Sequence, residues 1–273
     1  MTSQLKALTL ALALIAMPTA SAVSGAADSR PDHIVLVVLE NHGFSRIIGN
    51  PKASFINKLA TEGLLFTRYY GVGRPSQVNY FVLFSGSTHG ITDNDVHTVT
   101  APTLADQLRS AGLSFVGYGD SGANRRHKPW ESFAGSRQSA KDFRAFPDNF
   151  DKLPTVAFVT PSLSHNMHDG SIEDGDRWLR KHFERFVKWA KEHNSLFILT
   201  FDEDDGKDDY RVPAIVVGAG IRSDTNDTIG NHYSLLRAIQ STYGLAPLAG
   251  STAAPLFAVT ASKIQQREAS SGK

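Results

Sequence analysis

The 273-residue sequence contains no cysteine. That excludes a thiolate nucleophile, a thiolate zinc site and an iron–sulfur cluster, and it leaves no disulfide to supplement the core. Charge of one sign is not in excess either, with 28 Lys plus Arg against 27 Asp plus Glu. A chain that neutralises many phosphates along a nucleic acid carries a basic surplus, so no nucleic-acid partner is expected. The apolar stretch 7–17 falls well short of the ~20 residues a membrane-spanning helix needs. There is no P-loop, no G-x-G-x-x-G after the first predicted strand, no EF-hand spacing, and no G-x-S-x-G elbow around Ser76, Ser85 or Ser121. These gaps argue against P-loop nucleotide hydrolysis, dinucleotide-dependent hydride transfer and the acyl-transfer triad of α/β-hydrolases. No internal repeat, low-complexity block or linker divides the chain, so a single domain is the simplest organisation.

What is present begins with an export pattern. Lys6 precedes the apolar stretch, and Pro18-Thr19-Ala20-Ser21-Ala22 follows it with an Ala-x-Ala cleavage site. The expectation is a signal peptide over 1–22 and a secreted or periplasmic domain over 23–273 with no integral membrane segment. Lys6 is the only charged residue in 1–22, so its removal takes the formal charge from +1 to 0.

The run Ile34-Val35-Leu36-Val37-Val38-Leu39 is continuous and apolar, as a parallel strand must be when helices cover both its faces. Further strands are predicted over 64–69, 114–118, 156–159, 196–201 and 214–217, and helices over 54–61, 77–84, 103–111, 176–192 and 233–243. Gly63, Gly112 and Gly244 stand where helix stops are expected. Strand alternating with helix predicts an α/β fold with a mostly parallel, doubly wound sheet and helices on both faces. Ligands of such sheets bind beyond the carboxyl ends of the strands.

Polar residues gather there. Glu40-Asn41 ends the first strand, where a buried carboxylate needs a cation or several donors; Glu40 caps the turn into Gly43-Phe44, or pairs with Arg46, or holds a hard metal. Asp202-Glu203-Asp204-Asp205 ends the fifth, and adjacent acids repel one another without a cation. Their oxygens suit Mg²⁺, Ca²⁺ or Mn²⁺, and His168 or His232 nearby would admit Zn²⁺ or Fe. Asp208 and Asp209 read better as a solvated loop. Ser76 stands at the N-cap or first turn of an apolar helix, where it is either a cap or a nucleophile facing an anion at the helix N-terminus. Asn79, one turn on, is placed to donate to a phosphate oxygen. The loop 161–170 carries His165, Asn166, His168 and Asp169, with His165 read as exposed. His232 precedes the last helix, where its bland role is capping. Tyr69, Tyr70, Trp130 and Phe133 read as core before they read as pocket lining.

In order, Leu39-Glu40-Asn41-His42-Gly43-Phe44, Arg74-Pro75-Ser76-Gln77-Val78-Asn79-Tyr80, Thr160-Pro161 through His168-Asp169, Phe201-Asp202-Glu203 and Asn231-His232-Tyr233-Ser234 resemble the secreted phosphoesterase family of the alkaline phosphatase superfamily. That family includes bacterial acid phosphatases, phosphoinositide phosphatases and phospholipases C. The resemblance implies that Ser76 is the nucleophile of a phosphoserine mechanism, and that Glu40, Asn41, Asp202 and Glu203 hold a divalent metal beside it. It also implies that Asn79, His168 and His232 contact phosphate, a second metal or the leaving oxygen. Two departures stand out: Val78 where the family has Pro, and Asn166 where it has Asp. The second favours one firmly bound metal over two. The function implied is a metal-dependent phosphomonoesterase acting on a small phosphate ester, a phosphoinositide or a phospholipid head group. The alternatives are a phosphodiesterase or phospholipase C, and an exported binding protein without turnover.

Overall fold

The computed structural model describes residues 30–257 and 259, so the predicted signal peptide over 1–22 lies outside the described residues. Among the described residues ten strands are formed: β1 (His33–Leu39), β2 (Leu64–Phe66), β3 (Tyr69–Tyr70), β4 (Phe115–Gly119), β5 (Ala140–Asp142), β6 (Val156–Thr160), β7 (Ser195–Phe201), β8 (Ala214–Gly218), β9 (Asp224–Asn226) and β10 (Gly230–Asn231). The α-helices are α1 (Phe44–Ile47), α2 (Ser54–Glu62), α3 (Ser76–Ser85), α4 (Leu104–Ser110), α5 (Pro129–Ser132), α6 (Ile172–Glu192) and α7 (His232–Thr242).

Eight strands make one sheet in the order β5-β4-β6-β1-β7-β8-β2-β9, while β3 and β10 pair separately. From β5 through β7 every pairing is parallel. The central strands are the apolar runs, and their side chains are buried on both faces. That is the burial a parallel strand requires, and it is why they could be read without any alternation to guide the eye. The helices pack in two groups, α2 with α6 against β7 and β8, and α3 with α4, α5 and α7.

The sheet is mixed where a mostly parallel one was expected to continue. Loop 202–213 leaves the carboxyl end of β7 and enters β8 at the same edge, so β8 runs antiparallel to β7 and to β2. With no crossover helix between them, the two strands form a hairpin rather than a parallel unit. The predicted strand 64–69 ends at Phe66, and Tyr69–Tyr70 joins the small sheet instead. Helix α6 begins at Ile172, four residues before the predicted start, because Ser171 caps it by accepting from the Asp174 amide at 3.1 Å. Tyr69, Trp130 and Phe133 are core residues with at most 1% exposure. Among the described residues no helix is long and apolar enough to cross a membrane.

Candidate active site

Two neighbouring parallel strands set the site. In the β1–β7 pairing Leu39 lies opposite Phe201, so the next residues, Glu40 and Asp202, leave the sheet at the same level. The Asp202 amide donates to the Leu39 carbonyl at 2.9 Å, and the Asn41 amide donates to Asp202 Oδ1 at 3.0 Å. Asn41 reaches that position with φ +54°, a left-handed conformation Asn tolerates better than most residues. Glu40 and Asp202 are both fully buried.

Helix α3 brings Ser76 to this pair. Ser76 is the first residue of the helix, and Pro75, joined to Arg74 by a cis peptide, supplies no side-chain cap. The capping role considered for Ser76 is therefore not the one its hydroxyl plays. Ser76 Oγ is buried, 3.1 Å from Glu40 Oε2 and 3.2 Å from Glu203 Oε1, with one proton to give between them. Tyr80, one helical turn on and on the same face, donates its hydroxyl to Glu40 Oε1. Asn79 braces the loop that delivers Ser76: its Oδ1 accepts from the Val72 amide at 2.9 Å and its Nδ2 donates to the Gly73 carbonyl at 2.8 Å. Gly71 in that loop passes so close to the sheet end that a Cβ would stand 2.8 Å from the Asp202 carbonyl oxygen.

The electrostatics are those of crowded, desolvated acids. Burial raises the Glu40 carboxyl well above its ordinary value, and the Asp202 charge adds to the effect. Burial likewise raises Asp202. Glu203 rises to about 7, through burial first and the Asp202 charge second, with Arg74 opposing. Arg74 bonds to Asp204 and stands 3.7 Å from Glu203 Oε2, so this cation is already engaged. Asp202 Oδ2 and Glu203 Oε2 are buried and have no hydrogen-bond partner. Orphaned carboxylate oxygens of this kind fit a hard divalent cation. As placed, no three His, Asp or Glu side chains among the described residues are arranged as a coordination shell.

The two predicted imidazoles are nearby but engaged with the protein. His232 is fully buried behind Asp202: its Nε2–H donates to the Asp202 carbonyl at 2.5 Å, and its Nδ1 accepts from the Tyr69 hydroxyl, 2.9 Å away. Burial lowers its pKa to about 4, so it is neutral and holds the acidic strand end in place. His168 Nε2 lies 2.8 Å from Arg126 Nη2, and its Nδ1 lies 2.6 Å from Asp169 Oδ1. Sequence reasoning missed Arg126 and His127. His127 is fully buried with its Nε2 3.2 Å from Glu40 Oε2, and the Thr160 hydroxyl donates to its carbonyl at 2.9 Å. Both residues lie in the loop after β4, and the rule that drew attention to the other strand ends applies there equally.

A model of the phosphoesterase family matches residues 50–246. The phosphatidylinositol-3-phosphatase of Mycobacterium tuberculosis is 39% identical over 241 residues, covering 82% of this chain and 80% of that protein. The phosphate-repressible acid phosphatase of Penicillium chrysogenum is 29% identical over 252 residues, covering 80% of this chain and 60% of that protein. Among solved structures, an alkaline phosphatase superfamily protein from Vibrio parahaemolyticus superposes with a TM-score of 0.59 at 16% identity, covering 80% of this chain and 68% of that one. The lipoteichoic acid synthase from Listeria monocytogenes gives 0.60 at 10% identity, covering 82% and 76%. At such identities the structures speak for the fold alone, and the fold they share is the α/β sheet that carries Glu40 and Asp202 to one edge. The family match spans most of the chain, and on that ground the chain belongs to the phosphoesterase family, hydrolases of phosphate esters.

Proposed function

We propose that the chain is an exported, metal-dependent phosphomonoesterase of the acid phosphatase type that works through a phosphoserine on Ser76. The observation that carries this reading is the position of the Ser76 hydroxyl, buried at a helix N-terminus between two carboxylates that can each accept its proton. In the first step a bond forms from Ser76 Oγ to phosphorus, the ester P–O bond breaks, and the Ser76 proton passes to Glu40 or Glu203. The carboxyl that took this proton gives it up to the leaving oxygen as the alcohol departs. Water then attacks the phosphoserine, releases inorganic phosphate and restores the hydroxyl.

Glu40, Asn41, Asp202 and Glu203, with Ser76, are the residues that would hold a divalent cation, whether Mg, Ca, Mn, Zn or Fe. When bound, such an ion lowers the serine pKa and neutralises charge on the equatorial oxygens. The orphaned oxygens of Asp202 and Glu203 support that assignment. His232 and Asn79 keep the strand end and the serine loop in register. The mycobacterial relative suggests a phosphoinositide as substrate, since a terminal phosphate on a ring presents the same group to Ser76. Export is supported by the pattern over 1–22.

The test is hydrolysis of p-nitrophenyl phosphate and of phosphatidylinositol 3-phosphate by wild type, Ser76→Ala and Asp202→Ala, before and after chelation and metal repletion. Wild type should need metal, Asp202→Ala should lose metal and activity together, and Ser76→Ala should keep metal but form no covalent phosphoenzyme. Full activity in Ser76→Ala, or after exhaustive chelation, would refute the mechanism. Turnover of bis(p-nitrophenyl) phosphate in preference to the monoester would move the reading to a diesterase.

A further inference from the structure

We propose that Arg126 is the phosphoryl-binding cation of this site, aimed at the substrate by His168 and His127; the proposal rests on the reading of Ser76 as the point of attack. Arg126 lies in the short 3-10 turn Arg125–His127 that follows β4 and is half-buried. Its Nη2 donates to His168 Nε2 at 2.8 Å, and its Nε lies 3.0 Å from His127 Nε2. Among the described residues no carboxylate stands within ion-pair distance of it, and its Nη1 has no partner. A guanidinium withdrawn from water without a counter-charge is costly, and an anionic ligand removes that cost. Arg74, two residues before Ser76, is a contrast, because Asp204 and Glu203 already engage it.

The hydrogen-bond chemistry says which group faces the ligand. A guanidinium only donates, so His168 Nε2 must carry its lone pair toward Arg126 and the ring proton sits on Nδ1, given to Asp169 Oδ1 at 2.6 Å. The His168 Nε2 is thereby committed to the arginine. Asn166 adds no charge on this side: its Oδ1 accepts from the His168 amide at 2.9 Å, and its Nδ2 lies 3.4 Å from His127 Nδ1. Of the two arginines in this turn, Arg125 is spent on the Ser132 hydroxyl, Gln77 Oε1 and the Asp95 carbonyl, which leaves Arg126 as the cation with donors to give a ligand.

Contacts lead from this cation to the reacting hydroxyl. His127 Nε2 stands 3.2 Å from Glu40 Oε2, which accepts from Ser76 Oγ at 3.1 Å. The site thus has an acidic side, formed at the ends of β1 and β7, and a basic side at the end of β4. A phosphoryl group over Ser76 meets repulsion from the first unless the second answers it. The free Nη1 hydrogens and the remaining Nη2 hydrogen form a planar fork that matches two phosphoryl oxygens.

The experiment titrates inorganic phosphate calorimetrically into wild type, Arg126→Ala, Arg126→Lys and Ser76→Ala, alongside p-nitrophenyl phosphate kinetics and thermal unfolding. Arg126→Ala should lose phosphate affinity by at least ~10-fold and kcat/KM by ~100- to 1,000-fold, the range seen when one donor to a developing oxyanion is removed. Arg126→Lys, with the charge but not the fork, should fall between. Guanidinium at non-denaturing concentration should restore part of the activity of Arg126→Ala, which a merely structural arginine would not allow. Wild-type phosphate affinity in Arg126→Ala overturns the proposal. So does a loss without guanidinium rescue that Arg126→Lys shares in full. If Ser76→Ala turns over like wild type, the phosphoserine reading fails, while the phosphate titrations still decide the role of Arg126.

Discussion

Acid should weaken this protein through its buried imidazoles, His127, whose pKa burial lowers to about 2, and His232, whose share one variant isolates. His232 is fully buried, with Nε2–H donated to the Asp202 carbonyl and Nδ1 accepting from the Tyr69 hydroxyl. No water reaches either nitrogen to solvate a charge, and burial lowers its pKa from 6.5 to about 4. Between those values the unfolded chain takes up a proton that the folded chain refuses, so stability falls as pH falls through that window. At about 1.4 kcal/mol per pH unit the loss is on the order of 3 kcal/mol by pH 4, and below that it stops growing. The raised carboxyls of Glu40 and Asp202 act with the opposite sign, because the folded state takes their protons first as the pH falls. A variant isolates the imidazole. In His232→Gln the amide can donate to Asp202 and accept from Tyr69 without titrating. Urea unfolding followed by tryptophan fluorescence, in chelator and at steps from neutral pH to about pH 4, should show a stability loss in wild type steeper than in His232→Gln by that amount. Parallel curves would show that His232 is not held neutral, and the account of its burial would be wrong.

Two further predictions concern the frame that holds the site. A Cβ at Gly117, in the middle of β4, would stand 2.2 Å from Trp130 Cδ2, and Trp130 is 1% exposed. Gly117→Ala should therefore destabilise by about 1–3 kcal/mol, against the gain that Gly to Ala brings where the space is open, and a raised or unchanged Tm would contradict the packing. Asp176 of α6 caps α2 across the fold, accepting from the Phe55 amide at 2.9 Å and the Ile56 amide at 2.8 Å where Ala53 provides no cap. Asp176→Ala should cost about 2–3 kcal/mol in denaturant unfolding, and a change near zero would mean that α2 finds other acceptors.

Much of the frame was legible because the central strands are apolar on both faces. Ile34 through Leu39 and Leu196 through Phe201 announce themselves by composition, and the rule about carboxyl ends then picks out Glu40 and Asp202. Ser76 was legible as a helix start followed by Asn79 and Tyr80, although the reach of Tyr80 to Glu40 was not. The edge strands were not readable: Ala140–Asp142 and Asp224–Asn226 are short and exposed, and only their pairing partners make them strands. The direction of β8 was hidden for a related reason, since an apolar run does not say which way its neighbours point. The hydrogen bonds of His168 and His232 within the protein were illegible because a residue type does not name its partner. Their partners, Arg126 for one and Tyr69 with the Asp202 carbonyl for the other, come from residues 30 and more positions away in sequence.

The distribution of donors around the acids explains why the site is poised rather than merely crowded. Glu40 is supported by the Tyr80 hydroxyl and the Ser76 hydroxyl, which bring hydrogen bonds without an arginine or lysine, while the His127 ring, whose Nε2 accepts from Arg126, stands beside it at 3.2 Å. Asp204, the third acid after β7, takes Arg74 and so removes that cation from Asp202. Asp202 is left with one oxygen held by the Asn41 amide and the other with no hydrogen-bond partner, in a place where burial already opposes its charge. A fold that only needed stability would gain by replacing such a group with an apolar one, since a buried unpaired carboxylate is among the costliest features a core can keep. Its presence at the register partner of Glu40, within reach of a serine that has two acceptors for one proton, is intelligible if the deficit is met by what binds there: a cation on the carboxylate side, and a phosphoryl group between it and Arg126.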